Sequence, residues 1–164
     1  MGKDTTLYKI GGGCAIVGAI VVAIALLMHP AEGGTPEEAL RMIANHNSYG
    51  SVHWAVVVGD FLIIAAALAL YRALTAEREC GFAFYATAAM VGGKLLGTGA
   101  TVLLEATSSP AYARAYQQAA DATAKAAVAQ AYAPLYAYSQ QGLRQLAGLG
   151  CVGGGRCRPH HPVG

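Results

Sequence analysis

An uncharged apolar run near the N-terminus limits what this chain can fold into. Residues Ile10 to Met28 contain no charged side chain. As an α-helix, about 19 residues rise roughly 28 Å, which is close to the hydrocarbon thickness of a bilayer. Lys3 and Lys9 precede the run as in a signal peptide, but the run exceeds the usual apolar region of about 7–15 residues and no A-x-A site follows. The sequence therefore predicts an uncleaved membrane-spanning helix.

Two further apolar runs each carry one internal charge. The first runs from about Val52 to Leu70 and contains Asp60, and the second runs from Phe82 to Leu104 and contains Lys94. Glu105 and the Ser108-Ser109-Pro110 cluster are expected to close the second run. Only 12% of the residues are charged, against about 25% in an ordinary soluble domain. We therefore expect an all-α transmembrane helical bundle with lipid as the solvent of its spans. The net charge of +2 gives no reason to expect nucleic-acid binding.

The second half of the chain is rich in alanine and tyrosine and is expected to be helical. Residues 126–146 are only weakly apolar and include Pro134, which would kink a helix. We predict a fourth span there, and the alternative is an amphipathic helix lying on the membrane surface. Residues 1–149 would then form a single membrane domain, and residues 150–164 a disordered tail.

The segment between the first two spans contains a helix start. Thr35 is a typical N-cap residue, Pro36 fits the first helical position, and Glu37 and Glu38 place acidic groups in the first turn. The pattern predicts a short interfacial helix that ends near Asn45.

Lysine and arginine residues indicate the orientation, because they concentrate in short cytoplasmic loops. They are more numerous before span one, between spans two and three, and after the fourth segment than in the alternate loops. We therefore expect a multi-pass protein of the bacterial cytoplasmic membrane with its N-terminus inside. The residues on this side are Lys3, Lys9, Arg72, Arg78, Arg144, Arg156 and Arg158.

Asp60 and Lys94 are predicted to meet inside the membrane. An ionisable side chain within a span costs roughly 2.5–3.5 kcal/mol on insertion scales, and these two have opposite signs on consecutive helices. Span two runs inward and span three outward, and each charge lies about eight to ten residues below the outer end of its span. At 1.5 Å per residue the two depths differ by about 3 Å, which a lysine side chain bridges.

Helical spacing extends this pair into a polar seam. His53 precedes Asp60 by seven residues, and Thr98, Thr101 and Glu105 follow Lys94 at spacings that share one helix face. The seam is a candidate cavity for a proton, an ion or a small ligand. The simpler alternative is that the charges only neutralise one another and fix the helix register. Beside the seam, Gly93 and Gly97 form a G-x-x-x-G pattern and a candidate helix-packing surface.

No cofactor or metal is expected. His46 and His53 could hold haem only if histidines faced them from other helices, and the other predicted spans contain none. Cys151, Cys157 and the histidine pair at 160–161 do not match a standard zinc spacing.

The chain also resembles a group of proteins. The opening Thr6-Leu7-Tyr8-Lys9-Ile10-Gly11-Gly12, the His29-Pro30 pair after span one and the histidine entering span two are similar to small multi-pass membrane proteins of unknown function from actinobacteria and other high-GC bacteria. The resemblance covers about residues 5–140. It implies a fold of several spans and supplies no activity.

The sequence leaves more than one function open. The first is a structural or accessory membrane protein that assembles with itself or with a membrane partner through small-residue helix faces. The alternative is a small transporter-like or ion- or proton-handling protein that uses Asp60 and Lys94. A redox protein with a histidine-held cofactor is a third. Enzymatic activity is not favoured, because no motif identifies a substrate or a reaction.

Overall fold

A computed structural model describes residues 5–30, 34–76 and 80–150, and within these ranges it leaves out the side chains of residues 76, 80, 97–98 and 141–150. The predicted disordered tail therefore lies outside the described residues, apart from Gly150, which ends a helix. Every regular element in the described part is helical. The elements are α1 (Thr5–Met28), α2 (Pro36–Asn45), α3 (Tyr49–Ala76), α4 (Cys80–Gly93), a π-helical turn (Lys94–Gly99), α5 (Ala100–Gln118) and α6 (Ala122–Gly150).

Three helical stretches of the described chain are long and apolar enough to cross a membrane. They are Thr5–Met28, Tyr49–Thr75 and Gly81–Gln118, and they contain the three predicted spans. The helical fold class is thus confirmed. α6 is also a helix, as predicted. Among the described residues it is not one of the stretches long and apolar enough to cross a membrane, so a fourth span at residues 126–146 stays a prediction.

The third stretch does not end where the sequence predicted. Ser109 and Pro110 were expected to close span three, but Pro110 lies inside α5, which continues to Gln118. A proline removes one backbone donor, and here packing outweighs that loss. Ser109 is fully buried, and its hydroxyl accepts a hydrogen bond from the Tyr132 hydroxyl of α6 at 3.4 Å.

Small residues hold α1 against α3. Gly11, Gly18 and Ala25 are the buried residues of α1, and their seven-residue spacing puts them on one helix face. A Cβ atom on Gly11 would overlap the Cβ of Ala69, and one on Gly18 would lie 2.9 Å from the carbonyl oxygen of Gly59. The two backbones therefore approach closely, as in other helix pairs packed through small residues in membranes.

The outward faces of the long helices are apolar. Large hydrophobic side chains are exposed along them, which is the reverse of a soluble surface and fits contact with lipid. The most exposed are Leu27 at 87%, Phe82 at 84%, Leu96 at 77% and Tyr85 at 73%.

A hydrophobic core forms where α2 packs against α5 and α6. We call its buried residues the cap cluster, and half of them are tyrosines. The cluster consists of Ala39, Leu40, Ile43, Tyr49, Ala113, Tyr116, Tyr132 and Tyr136. It gathers the amphipathic α2, the part of α5 beyond Pro110 and the first half of α6 around one set of buried rings.

The start of α2 is confirmed as predicted. The Thr35 hydroxyl accepts from the backbone N–H of Glu38 at 3.3 Å, and the Glu38 carboxylate accepts from the backbone N–H of Thr35 at 2.8 Å. This reciprocal pair satisfies two donors that the helix end leaves unpaired. Gly34, just before it, adopts a positive φ of 86°, and its carbonyl accepts a hydrogen bond from Tyr136 at 3.1 Å.

Candidate functional site

Asp60 of α3 and Lys94 of the π-helical turn form an ion pair. The lysine Nζ lies 2.7 Å from the Asp60 Oδ1, so the contact predicted from helix registers is present. Asp60 is only 4% exposed, whereas the Lys94 side chain is 29% exposed. The anion is therefore held inside the bundle, and the cation reaches it from the side of α4 and α5.

The second carboxylate oxygen of Asp60 has no hydrogen-bond partner in the part of the chain that the structure describes. Among the described residues, Oδ2 is a buried oxygen without a hydrogen-bond donor within reach. An ionised carboxylate has two acceptor oxygens, and leaving one of them unpaired in a low-dielectric site is costly. Oδ2 is therefore a place where a proton can bind while Oδ1 keeps its contact with Lys94.

The helix that carries Lys94 is irregular at that residue. From Lys94 to Gly99 the backbone is π-helical, with the N–H of Ala100 bonded to the carbonyl of Leu95. Such turns are rare and often mark functional sites. A Cβ on Gly99 would lie 3.0 Å from the Lys94 carbonyl oxygen, so a glycine suits this position. The turn changes the register between Lys94 and the residues of α5 that follow.

Seven residues before Asp60 on α3, His53 contacts two further polar groups. The Nε2 atom of His53 lies 3.2 Å from the Glu105 Oε2 of α5 and 3.2 Å from the Nε2 of His29. His53 is 2% exposed and the Glu105 side chain 12% exposed. The predicted neighbourhood of His53 and Glu105 is present, and His29 joins it from the residue after α1.

Tyr49 links these histidines to the cap cluster. The His53 Nδ1 lies 2.8 Å from the Tyr49 carbonyl oxygen, and the two rings are tilted with centroids 4.2 Å apart. The ring of Tyr49 itself is buried in the cap cluster. The three polar groups therefore lie directly beneath the cap.

The remaining predicted residues have different outcomes. Thr101 is half-buried in the first turn of α5, whereas the side chain of Thr98 and the surroundings of Gly97 lie outside the described part. Among the described residues nothing packs against Gly93, because a Cβ added there would meet no atom within 4 Å, and its role as a helix-packing surface stays a prediction. Close helix packing occurs instead between α1 and α3, where Gly59 is central.

His29 is the site residue that the sequence prediction missed. The sequence placed His29 just after span one and found no histidine inside the other spans, but His29, one residue beyond the end of α1, faces His53 at 3.2 Å. The available signal was its position. A polar residue directly after an apolar span lies at the same membrane level as His53, which enters the next span.

The cap carries its own polar network on α2 and α5. The Tyr116 hydroxyl donates to the Glu37 Oε1 at 2.6 Å, and the Arg41 Nη2 donates to the same oxygen at 2.7 Å. The hydrogen bond from Tyr116, with a smaller contribution from Arg41, holds the pKa of Glu37 below its ordinary value. The network ties α2 to α5 at the surface of the cap.

The described residues limit the chemistry of the site. Among them, no three histidine, cysteine or acidic side chains are grouped so as to hold a metal ion. An apolar groove of about 580 Å³ lies between α1, α3 and α4, but Asp60 does not line it. Two sets of groups that can donate or accept protons remain, and both contain a buried residue of α3. One is Asp60 with Lys94, and the other is His53 with His29 and Glu105.

A helical chain with three stretches able to cross a bilayer, and with ionisable groups buried between them, belongs to the class of α-helical membrane proteins. No protein-family model matches the chain, and neither the curated proteins nor the solved structures provide a significant match. The argument for a function therefore depends on the site itself.

Proposed function

We propose that this protein is a small ion- or proton-handling membrane protein whose polar seam carries protons between the outer surface and Asp60. The side chains of the polar seam that the structure describes are His53, Asp60, Lys94, Thr101 and Glu105. The observation that carries the proposal is the buried Asp60 carboxylate, which uses one oxygen for Lys94 and leaves the other without a partner among the described side chains.

The chemistry of the pair supports reversible protonation. A hydronium ion that gives its proton to Oδ2 leaves water and a neutral carboxylic acid, and Lys94 is then the charged member of the pair. Loss of that proton restores the ion pair. Intramembrane ionisable residues in proton pathways commonly pair in this way.

The proposed location is a bacterial cytoplasmic membrane, with the N-terminus of α1 on the cytoplasmic side. The distribution of lysine and arginine along the chain supports this orientation. It places the cap cluster and His29 on the outer side, and Asp60 about 10 Å deeper than His53 along α3.

Helix length supports placing the cap outside the hydrocarbon. The stretch Gly81–Gln118 has 38 residues and would rise about 57 Å, almost twice the thickness of the hydrocarbon core. If Phe82–Leu104 crosses the bilayer, the rest of α5 projects by about 20 Å and α6 packs back along it. Since Tyr132 of α6 lies beside Ser109, five residues beyond Leu104, the first part of the fourth span predicted at residues 126–146 would then lie outside the hydrocarbon.

A second candidate function is assembly with another copy or a membrane partner through small-residue helix faces. The open space beside Gly92 and Gly93 favours it, because a neighbouring helix could approach closely there. This role would need no proton pathway, and it would not depend on Asp60.

The test is proton uptake by vesicles that contain the purified full chain and a pH-sensitive dye, driven by a potassium diffusion potential. We expect uptake above that of empty vesicles, and at least a tenfold loss in Asp60→Asn. The matched control is Asp121→Asn. Asp121 caps α6 by accepting from the Ala124 N–H at 2.8 Å, and asparagine preserves such a cap.

The outcomes separate the two functions. Uptake that equals the empty-vesicle rate would overturn the proposal, and so would uptake that Asp60→Asn leaves unchanged. If Asp60→Asn fails to purify as a monodisperse species, Lys94→Arg replaces it. Arginine keeps the charge and can donate to both oxygens of a carboxylate, so it would also occupy Oδ2. We therefore expect folding to persist and proton uptake to fall, and undiminished uptake would contradict the proposal.

A further inference from the structure

The hydrogen bonds of His29 and His53 assign their tautomers. The Nδ1 of His53 faces the Tyr49 carbonyl at 2.8 Å, and the Nδ1 of His29 faces the Pro30 carbonyl at 2.8 Å. A carbonyl oxygen only accepts hydrogen bonds, so each Nδ1 must carry a proton. In the neutral form of each ring, Nε2 is then an acceptor.

The Nε2 of His53 consequently faces two other acceptors. The Nε2 atoms of His29 and His53 lie 3.2 Å apart, and the Glu105 Oε2 lies 3.2 Å from the Nε2 of His53. With two neutral rings and an ionised carboxylate, lone pairs would face each other at hydrogen-bond distance. The geometry requires at least one additional proton among the three groups.

Burial favours one additional proton. With none, the three groups carry a charge of −1, and with two they carry +1. With one they hold an imidazolium, a neutral imidazole and a carboxylate, and the net charge is zero. Because His53 is 2% exposed and uncompensated charge is costly away from water, the singly protonated state is favoured.

The surrounding elements add few competing charges. From α3 the cluster is faced by the Tyr49 ring, and Asp60 lies seven residues farther along the helix, where it is paired with Lys94. On α2, the charged pair Glu37 and Arg41 is bonded to Tyr116 of α5. Tyr132 of α6, which lies in the cap cluster with Tyr49, donates to Ser109.

We propose that His29, His53 and Glu105 form a proton-binding site that holds one shared proton at the outer end of the polar seam. A hydronium ion at the outer surface gives its proton to the half-buried His29 and leaves as water, and His29 passes a proton to His53. The site is defined by its own geometry. Only its role as an entrance rests on the proposed function.

Nitrogen-15 NMR of the full chain, labelled at histidine and held in lipid nanodiscs, tests the site directly. Protonated and unprotonated imidazole nitrogens differ widely in chemical shift. At pH 7 we expect the His53 Nε2 to be protonated, with both Nδ1 atoms of the site also protonated. His29→Gln and His53→Gln assign the resonances, and His46→Gln removes an exposed histidine outside the site.

Glu105→Gln supplies the contrast. Glutamine removes the negative charge and offers an amide donor to the His53 Nε2. The additional proton should therefore leave His53 for the Nε2 of His29 or for water, and the His53 Nε2 signal should move to the unprotonated position. The signals of His46 should not move. A wild-type His53 Nε2 that is unprotonated at pH 7 would overturn the site, as would a protonated Nε2 that Glu105→Gln leaves unchanged. Either result is independent of vesicle proton uptake, which tests the proposed function separately.

Discussion

Gly18 of α1 and Gly59 of α3 face each other backbone to backbone. A Cβ added to Gly18 would lie 2.9 Å from the Gly59 carbonyl oxygen, and a Cβ added to Gly59 would lie 3.1 Å from the Gly18 carbonyl oxygen. The contact is reciprocal, and it lies one residue before Asp60. It therefore sets the distance between α1 and the helix that carries the polar seam.

Larger side chains at this contact should separate the two helices. We expect Gly59→Leu to lower the free energy of unfolding by about 1–3 kcal/mol, the usual cost of overpacking. The measurement is unfolding in mixed micelles followed by circular dichroism. Gly13→Ala is the control, because a Cβ there meets nothing within 4 Å and alanine favours a helix. Equal destabilisation by both variants would contradict the close approach.

Exchanging the charges of Asp60 and Lys94 should preserve their contact. Asp60→Lys and Lys94→Asp should each destabilise the protein by about 3 kcal/mol, because each leaves buried charge uncompensated. The Lys94 side chain is 29% exposed, so we expect the lower end of the range found for buried pairs. The double exchange should recover most of the loss in the same unfolding assay. A double variant less stable than either single variant would remove support for the pairing.

The cap should loosen in acid because of Glu37. Its folded pKa lies below the ordinary value of 4.5, so the stability it contributes is present above pH 4.5 and is lost as pH falls through the folded pKa. We expect hydrogen exchange of α2 to accelerate over this range in the wild type and less so in Glu37→Gln. High salt should weaken the effect, since these side chains are exposed.

Tyr116→Phe tests the cause of the Glu37 shift. Without the phenol donor the pKa of Glu37 should rise towards its ordinary value, so the acid transition of α2 should move to higher pH. Tyr138→Phe is the matched control, because Tyr138 is 46% exposed and lies outside the cap cluster. An unchanged transition in Tyr116→Phe would show that the hydroxyl contact does not govern the titration.

The reciprocal hydrogen bonds between Thr35 and Glu38, the capping box of α2, should contribute measurably to the stability of this helix. Thr35→Ala removes the hydroxyl that accepts from the Glu38 N–H, and loss of such a cap costs about 0.5–2 kcal/mol. We expect the loss as faster local exchange in α2 with little change in α1 and α3. Global unfolding of all helices together would instead show that the cap and the bundle are one cooperative unit.

Local rules predicted the features that depend on one helix or on two consecutive helices. The apolar runs predict the spans because bilayer thickness sets their length. The contact of Asp60 with Lys94 follows from counting residues from the outer ends of two antiparallel helices. The start of α2 follows from Thr35 and the residues directly after it.

Features that depend on three elements together could not be predicted in this way. His29 belongs to no span, and only the packing of α1 against α3 brings it to His53. Pro110 was expected to end a helix because proline lacks a backbone donor. The packing of α6, which stabilises the continuation, could not be foreseen from α5 alone. The glycine pattern at 93 and 97 is local, but Gly93 has open space in this chain, and the close contact is made by Gly18 and Gly59.

Reactivity with a water-soluble thiol reagent tests most directly whether water reaches the polar seam. In a variant without the four native cysteines, Thr101→Cys lies in the seam, whereas Val58→Cys replaces a 53% exposed side chain on the outward face of α3. Both positions are roughly 6–8 Å below the contact of His53 with Glu105. A membrane-impermeant reagent added from outside should label Thr101→Cys at least ten times faster. Equal, slow labelling of both would mean a dry seam and would contradict the proposed proton route.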